Sequence, residues 1–247
     1  MIKYKKLYEQ QYGEKKLKNI SLKRYWGLRK LFQKYDWDRY FIAAELIEPG
    51  ESILDIGCGN GHILIEVKEK FHKLYGMDIS PSRLQEAKKK IEELYPLDIL
   101  NFKFIEGNAD NSLPFSDNYL DVIVCIAVIE HVYDIFSLVK EMYRVLRPGG
   151  HVVAEVPNIA YFKHRISLLL GKLPVTSSPY NWKEIGWDGG HIHYFTMDKF
   201  CWLFESQGFH IEKKSGSGFF ARYRNWHPSL LTGDLFIKAK KLKNNQV

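Results

Sequence analysis

Residues 53–61 of this chain read Ile-Leu-Asp-Ile-Gly-Cys-Gly-Asn-Gly. The apolar run ends in Asp55, and glycines follow at alternate positions, at Gly57, Gly59 and Gly61. Because an apolar pattern with helical spacing comes next, the pattern predicts a strand, a tight loop and the start of a helix. Glycine has no Cβ, so such a loop lets the backbone come within contact distance of a ligand.

The loop departs from two common phosphate-binding patterns. The dinucleotide fingerprint G-x-G-x-x-G, counted from Gly57, requires glycine at a position that is occupied by His62. The P-loop requires a Gly-Lys-Ser/Thr sequence, which does not follow the glycines either. A glycine-rich loop is a weak signal by itself, so the prediction of a site depends on the residues that follow it.

Four more strands are predicted after the loop, and helical segments separate them. They are Lys73–Asp78, Phe102–Glu106, Tyr119–Cys125 and His151–Val156. Asp78 lies seventeen residues after Gly61, and a carboxylate at such a distance can accept both hydroxyls of a ribose. This alternation predicts a parallel, doubly wound sheet, in which ligands bind at the carboxyl ends of the strands.

This ordered series of motifs resembles the class I S-adenosylmethionine-dependent methyltransferases, over about residues 50 to 215. The resemblance implies an α/β fold of the Rossmann-like, doubly wound type. Its sheet would have seven strands, mainly parallel, with an antiparallel edge strand, and a helical arm would precede it. It further implies that the cofactor is S-adenosyl-L-methionine.

The resemblance also implies which residues bind the cofactor. They are Asp55, Gly57, Cys58, Gly59, Asn60, Gly61, Asp78, Ile79, Asn108, Ala109, Ile126 and Ala127. Asp78 would hold the ribose hydroxyls, with Ile79 against the adenine face. Many relatives have Asp where Asn108 stands, and Asn keeps a side-chain oxygen that accepts from the adenine amino group.

Several of these residues have a structural alternative. Asp55 could cap the following turn, and Asp78 could cap the helix that begins near Pro81, although Ser80 is the better cap. The thiols of Cys58 and Cys125 could simply fill space in the core as small apolar side chains. The carboxylates of Asp110 and Asp117 could serve only to shape turns.

Residues 158–195 interrupt the strand and helix rhythm and are predicted to select the substrate. Parts of this insert resemble the methionine-biosynthesis protein MetW. Its ending, His193-Tyr-Phe-Thr196, resembles the ubiquinone-biosynthesis methyltransferases of the UbiE and UbiG group. The MetW pathway role is not transferred, because such chains generally lack so long an N-terminal arm.

An oxygen acceptor would need a general base, and histidine is the usual choice. The candidate catalytic residues are His193 and His131, and His191 is a further option. As a structural alternative, His193 could form local hydrogen bonds at the start of the following helix. His131 could brace the loop in which it lies. The ubiquinone group holds a divalent metal with a Glu-x-x-Glu-His run. In this chain Ala127 occupies the position of the first Glu of that run, so no metal site is predicted.

The 247 residues carry a net charge of +7, which is unevenly distributed. Residues 1–34 contain eleven Lys or Arg and two Glu. Residues 1–48 are therefore predicted as a helical arm or lid, residues 49–241 as the cofactor-binding domain and residues 242–247 as a tail. Residues of the arm that could contact the cofactor are Tyr8, Tyr12, Arg24 and Tyr25.

The composition favours a cytoplasmic enzyme. The three cysteines have no metal or disulfide spacing, and the sequence has neither an apolar run long enough to span a membrane nor a secretory signal. We expect a methyltransferase acting on a small molecule, with an oxygen acceptor favoured. The alternatives are a tRNA or protein methyltransferase that uses the basic arm, and a non-catalytic binding protein that is MetW-like. The oligomeric state is left open.

Overall fold

The structure, a computed structural model, describes residues 39–177, 188, 190–218 and 221–243. Its strands are β1 (Ser52–Ile56), β2 (Lys73–Asp78), β3 (Phe102–Glu106), β4 (Leu120–Ile126), β5 (Leu146–Pro157), β6 (His210–Ser217) and β7 (Asp234–Lys240). Its helices are α1 (Arg39–Leu46), α2 (His62–Glu66), α3 (Pro81–Leu94), α4 (Ile135–Val145), α5 (Phe162–Leu169), α6 (Met197–Glu205), α7 (Ala221–Arg224) and α8 (Pro228–Leu231). Short 3-10 turns span Lys68–Lys70, Ile99–Asn101 and Ile129–His131.

The strands form one sheet in the order β3-β2-β1-β4-β5-β7-β6. Pairing is parallel from β3 to β5, whereas β7 pairs antiparallel with both β5 and β6. The predicted doubly wound, mainly parallel sheet of seven strands is confirmed. Its edge strand β6 belongs to an antiparallel pair, and the reversed strand β7 lies one place further in.

The sheet is covered on both faces, as parallel strands require. Every residue of β1 and β4 is buried. One face packs against α4 and α6, whose Phe200 and Phe204 are fully buried. The other face packs against α1 and α2 through Ile42, Leu46 and Leu64. This double cover explains why β1 and β4 are mostly apolar on both faces rather than alternating between apolar and polar residues.

Of the helical arm predicted over residues 1–48, the structure describes the end, where α1 runs from Arg39 to Leu46. Residues 1–38 lie outside the described residues, and so do the candidate contacts of the arm: Tyr8, Tyr12, Arg24 and Tyr25. Most of the aromatic loop of the insert, residues 178–187, lies outside them as well. No helix within the described part of the chain combines the length and apolar character needed to cross a membrane.

A buried histidine in β5 makes the stability of the fold depend on pH. His151 is buried, and its Nε2 accepts a hydrogen bond from the backbone N–H of Glu48 at 3.4 Å. Burial and the nearby Lys238 ammonium lower the pKa of His151 to about 4. The unfolded chain takes up this proton near the ordinary histidine pKa of about 6.5.

We predict that the folded protein loses stability as the pH falls from 6.5 to 4, because protonation of His151 favours the unfolded chain throughout that interval. Wild-type protein should lose up to about 3 kcal/mol more than a His151→Gln variant, whose side chain does not titrate. Urea unfolding at pH 7.5 and 4.5 measures the difference. Equal losses for both proteins would contradict the prediction.

Candidate functional site

The loop between β1 and α2 has the backbone conformation that glycine adopts most readily. Gly57, Gly59 and Gly61 have φ values of +75°, +51° and +73°. The carbonyl of Met77, in the neighbouring strand β2, accepts hydrogen bonds from the N–H groups of Gly57 at 2.7 Å and Cys58 at 3.0 Å. The predicted strand, tight loop and helix start are therefore confirmed, and the loop is anchored to β2.

Gly57 packs against the turn that follows β4. A Cβ at Gly57 would lie 2.2 Å from Cγ2 of Val128, whereas a Cβ at Gly59 would meet no atom of the described residues within 4 Å, its chain neighbours apart. Ala127, the neighbour of Val128, has a positive φ of +54°, and its N–H donates to the carbonyl of Glu155 at 3.2 Å. The two turns therefore touch at Gly57 and leave open space beside Gly59.

Asp78 ends β2 and binds the glycine loop. Its Oδ2 accepts from the N–H of Gly59 at 2.8 Å, and its Oδ1 accepts from the N–H of Ser80 at 2.9 Å. Ser80 itself caps α3 by accepting from the N–H of Arg83, so capping of that helix is not the role of Asp78. Burial raises the pKa of Asp78, and these hydrogen bonds oppose the rise.

Asp55 is buried beneath the loop. Burial and the charge of Asp78 raise the pKa of Asp55 well above the ordinary carboxyl value. The N-cap of α2 is Gly61, which has no side chain that could accept a hydrogen bond from the helix. The alternative that Asp55 caps the turn after β1 stays a prediction. The side chains of Cys58 and Cys125 are buried, free thiols, and burial raises the pKa of both. They are the apolar fillers that the sequence favours.

The loop after β3 is tied to the segment after β4. Asn108 accepts the N–H of Asp110 with its side-chain oxygen at 3.0 Å. Asp110 in turn accepts the N–H groups of Tyr133 at 2.7 Å and Asp134 at 3.3 Å. Asp117 accepts from a guanidinium of α4 at 2.8 Å. Asp110 and Asp117 therefore tie their loop to the segment after β4 and to α4, which is a structural role other than the turn formation expected from the sequence.

The remaining residues of the predicted cofactor site lie at the same end of the sheet. Asn60 is part of the glycine loop, Ile79 directly follows β2, and Ile126 is the last residue of β4. Ala109 follows β3 and packs against the core. All the predicted cofactor residues thus belong to β1, β2 and β4 or to the segments that follow β1 to β4.

The end of the insert is bound to the turn after β4. The carbonyl of Glu130 accepts hydrogen bonds from the N–H groups of Ile192 at 2.9 Å and His193 at 3.2 Å. Nε2 of His193 lies 3.4 Å from the carbonyl oxygen of Tyr133. These contacts bring the insert to the end of the sheet at which the predicted cofactor residues lie.

Two histidines meet at this junction. Nδ1 of His131 lies 3.2 Å from the carbonyl oxygen of Gly190, and the rings of His131 and His191 meet edge to face with centroids 4.7 Å apart. Burial and the proximity of His191 lower the pKa of His131 to about 4. His131 therefore braces the loop, as its structural alternative states. The catalytic roles of His131 and His193 remain predictions.

Buried acids lie beside the histidines. The side chain of Glu130 is 1% exposed, and within the described part of the chain neither of its carboxylate oxygens has a hydrogen-bond partner. Glu155, in β5, contacts the guanidinium of Arg39 at 3.4 Å, and Asp234 lies 3.7 Å from the same group. Burial raises the pKa of Glu130 well above its ordinary value, with help from Glu155, and raises that of Glu155 to about 8 against the opposing charge of Arg39.

Comparison with known proteins identifies the family of this chain. A family profile described as a methyltransferase domain matches residues 54–154. The demethylmenaquinone methyltransferase of Geobacillus sp. (strain WCH70) is 33% identical over 184 residues, which cover 68% of this chain and 75% of that protein. The chain belongs to the class I S-adenosylmethionine-dependent methyltransferases. This methyltransferase is also 29% identical, over 188 residues, to the demethylmenaquinone methyltransferase of Listeria welshimeri, covering 70% of this chain and 76% of that one.

Solved structures share the fold of this methyltransferase. An S-adenosylmethionine-dependent methyltransferase from Aquifex aeolicus superposes with a TM-score of 0.57 at 16% identity, covering 87% of this chain and 97% of that one. Another from Mesorhizobium loti gives a TM-score of 0.61 at 17% identity, covering 81% and 95% of the two chains. At such low identity the likeness concerns the fold.

The cofactor of this methyltransferase is S-adenosyl-L-methionine, and the residues at the carboxyl end of the sheet fit it. The space beside Gly59 is open on the side where a Cβ would project. The two oxygens of an ionised carboxylate offer about four lone pairs, and the loop uses two of those on Asp78. The remaining lone pairs can accept the two hydroxyls of a ribose.

Sequence reasoning missed several polar residues of this region. The pairing of Arg39 with Glu155, the buried carboxylate of Glu130 and the contact of His191 with His131 were not predicted. One available signal was a charged residue, Glu155, inside the otherwise apolar run Val152–Val156. The contact between the histidines had no signal, since sixty residues separate them in sequence.

Two glycines of the loop give a matched test. We predict that Gly57→Ala destabilises the fold, because its Cβ would collide with Val128. Gly59→Ala should remain folded at a cost of about 1–2 kcal/mol for the left-handed backbone, yet bind S-adenosylmethionine more weakly because the methyl group enters the open space. Thermal unfolding and calorimetric titration measure both effects. Unchanged affinity of the folded Gly59→Ala protein would show that the cofactor does not contact the loop there.

Proposed function

We propose that this methyltransferase transfers a methyl group from S-adenosylmethionine to a hydroxyl oxygen of a small, apolar acceptor, with quinols as the leading acceptor class. The observation that carries the proposal is the position of His193. Its backbone and ring are bonded to the segment after β4, so a basic side chain stands at the end of the sheet where the cofactor residues lie. Two relatives named for demethylmenaquinone support a small molecule as the acceptor.

The glycine loop and the strand ends supply the proposed cofactor contacts. Asp78 accepts the ribose hydroxyls, Ile79 packs on the adenine, and Asn108 with Ala109 meets the adenine edge. The backbone from Gly57 to Gly61, including Cys58 and Asn60, surrounds the methionine portion, with Asp55 beneath it ordering the loop or reaching the amino group. Ile126 and Ala127 form the floor of the site.

When bound, S-adenosylmethionine supplies a methyl group on a positively charged sulfur, already activated for in-line displacement. The chain must then orient the acceptor, and orientation can contribute several of the roughly 7–11 kcal/mol available from proximity. It must also keep water away from the reacting groups. Polar side chains that take no part in the reaction would retain water and compete for the acceptor. Apolar walls around the acceptor are therefore favoured.

The contact of His193 with Tyr133 favours one tautomer of the neutral ring. The partner of Nε2 is the carbonyl oxygen of Tyr133, 3.4 Å away, and a carbonyl can accept but not donate. Nε2 of a neutral imidazole must therefore carry the hydrogen, and Nδ1 carries the lone pair. Nδ1 is the atom that we assign to removal of the acceptor's hydroxyl proton.

The insert presents an apolar surface that suits an apolar acceptor. Six large side chains within residues 162–173 are exposed to solvent: Phe162, Ile166, Leu168, Leu169, Leu170 and Leu173. A concentration of exposed apolar side chains of this kind marks a site of ligand or partner binding. Its location on the insert supports the sequence prediction that residues 158–195 select the substrate.

The described end of the predicted N-terminal arm is bound at the carboxyl end of β5. Arg39, the first described residue, contacts Glu155 and Asp234 at the carboxyl end of β5. This contact supports residues 1–48 as an arm or lid at the mouth of the site. The use of the basic arm to bind RNA or protein remains an alternative prediction.

Removal of the Asp78 carboxylate should weaken cofactor binding. We expect Asp78→Ala to lower the affinity for S-adenosylmethionine at least 10-fold, because two charge-assisted hydrogen bonds of about 1.5–3 kcal/mol each are lost. Asp117→Asn, which changes a carboxylate on the surface, is the matched control and should bind normally. Calorimetric titration with the cofactor and with its demethylated product gives the affinities. Equal affinities for both variants would rule out the ribose role.

The acceptor class can be tested with a radiolabelled methyl group. We expect label to enter a quinol or phenol of similar size, but not the matched aniline, bulk tRNA or a protein extract. His193→Ala should lower kcat by about 10²–10⁴ and leave cofactor affinity unchanged. His210→Ala, which alters an exposed histidine of β6, is the control. Label in RNA or protein alone, or cofactor binding without transfer to any acceptor, would refute the proposal.

A further inference from the structure

We propose that Glu130, His131 and His191 bind a divalent transition-metal ion at the junction between the insert and the turn after β4. One ligand atom from each residue, a carboxylate oxygen and two ring nitrogens, lies within 4.8 Å of the other two. An ion in their midst would therefore reach all three after small side-chain adjustments. The site differs from the Glu-x-x-Glu-His pattern, because Ala127 replaces the first acid and the insert contributes the third ligand.

His131 presents one nitrogen to this position. Its Nδ1 lies 3.2 Å from the carbonyl oxygen of Gly190, which can only accept a hydrogen bond. Nδ1 of the neutral ring is therefore the protonated nitrogen, and Nε2 carries the lone pair. Histidine ligands of metals typically donate the other ring N–H to a backbone carbonyl or a carboxylate in this way.

His191 is oriented by a hydroxyl and a carboxylate. Its Nδ1 lies 2.7 Å from Oγ1 of Thr176, which donates its hydrogen to the carboxylate of Asp188 at 2.7 Å. The hydroxyl therefore accepts from Nδ1, and Nε2 of His191 again carries the lone pair. Asp188 is buried and also accepts the N–H groups of Thr176 and Ser177. The Thr176 hydroxyl that orients His191 is thus itself held in place by Asp188.

The buried carboxylate of Glu130 is independent support for a cation at this position. Its side chain is 1% exposed, and neither carboxylate oxygen has a hydrogen-bond partner among the described residues. A buried carboxylate without partners is costly, and a bound cation would remove that cost. The backbone carbonyl of Glu130 accepts hydrogen bonds from the N–H groups of Ile192 and His193. These bonds hold the residues directly after His191 against Glu130, so the two ligands are kept close together.

The surrounding charges favour a cation. Besides Glu130, the carboxylates of Glu155 and Asp234 act on this region, and the guanidinium of Arg39 opposes them. With Asp188, which lies beside His191 through Thr176, the acidic groups of the described residues outnumber the guanidinium at this junction. An added divalent ion would balance the excess.

The ligand set indicates the class of ion. Two imidazoles and one carboxylate suit Zn²⁺ and its first-row neighbours, whereas Mg²⁺ prefers oxygen ligands alone. Three protein ligands leave a position for water or for an oxygen of an acceptor. Binding of the ion can be measured without any methyl acceptor, so the metal site and the proposed acceptor class are tested independently of each other.

The test uses full-length protein without an affinity tag, freed of metal with a chelator. Calorimetric titration with ZnCl₂ should show saturable binding of one ion, and the same concentration of MgCl₂ should show none. Thr176→Val, which leaves all three ligands in place, should weaken Zn²⁺ binding about 10–100-fold. Glu130→Gln and His191→Gln should weaken it further, and His210→Gln should match wild-type protein.

A spectroscopic measurement on the unaltered chain covers the case in which a ligand variant does not fold. Co²⁺ bound by imidazoles and carboxylate absorbs visible light more strongly than the hydrated ion, and Zn²⁺ should displace it and abolish the absorption. Absence of saturable Zn²⁺ binding to wild-type protein would overturn the inference. Affinity that is equal in wild-type protein and the folded ligand variants would overturn it as well.

Discussion

The bend at the end of β1 sets how closely the loops at the carboxyl end of the sheet approach one another. Gly57 lies against Val128 with no room for a Cβ, and the backbone at Gly57 and Cys58 is bonded to the carbonyl of Met77. The loop after β1 therefore contacts the turn after β4 on one side and β2 on the other. Without this contact Asp78 would have no loop amide to bind, and the open space beside Gly59 would lose its walls.

Buried carboxyl groups are concentrated at the same end of the molecule. Asp55 and Asp78 lie under the glycine loop, and Glu130 and Glu155 lie at the junction with the insert. Burial raises the pKa of each, which means that water is replaced there without full compensation from local donors. Such a region attracts positive charge. A sulfonium cofactor and a metal ion both supply it.

The part of the fold governed by local pattern could be predicted from the sequence. β2 and β3 have the predicted bounds, because each is a short run between polar turns, and Ser80 and Thr196 cap the predicted helices. β5 begins at Leu146 rather than His151, since Leu146 pairs with Leu120 before a register shift. Pro148 and the glycines after it suggest a turn, and tertiary pairing overrides that preference.

The cofactor site could be predicted because its residues follow successive strands, whose ends a parallel sheet brings together. The junction between Glu130, His131 and His191 could not be. Its geometry depends on how the insert returns to the sheet, and no local pattern reports that path. The sequence shows the residue types, but not that the Glu130 side chain is turned inward or that Thr176 supports His191.

The place of β7 in the sheet constrains the order of events during synthesis. β7 pairs on both sides, with β5 and with β6, yet it follows both of them along the chain. The edge of β5 therefore stays uncovered until residues 234–240 emerge from the ribosome, and an uncovered edge is a template for aggregation. Until then the nascent chain holds an incomplete sheet, and β7 closes a gap between two earlier strands rather than extending a border.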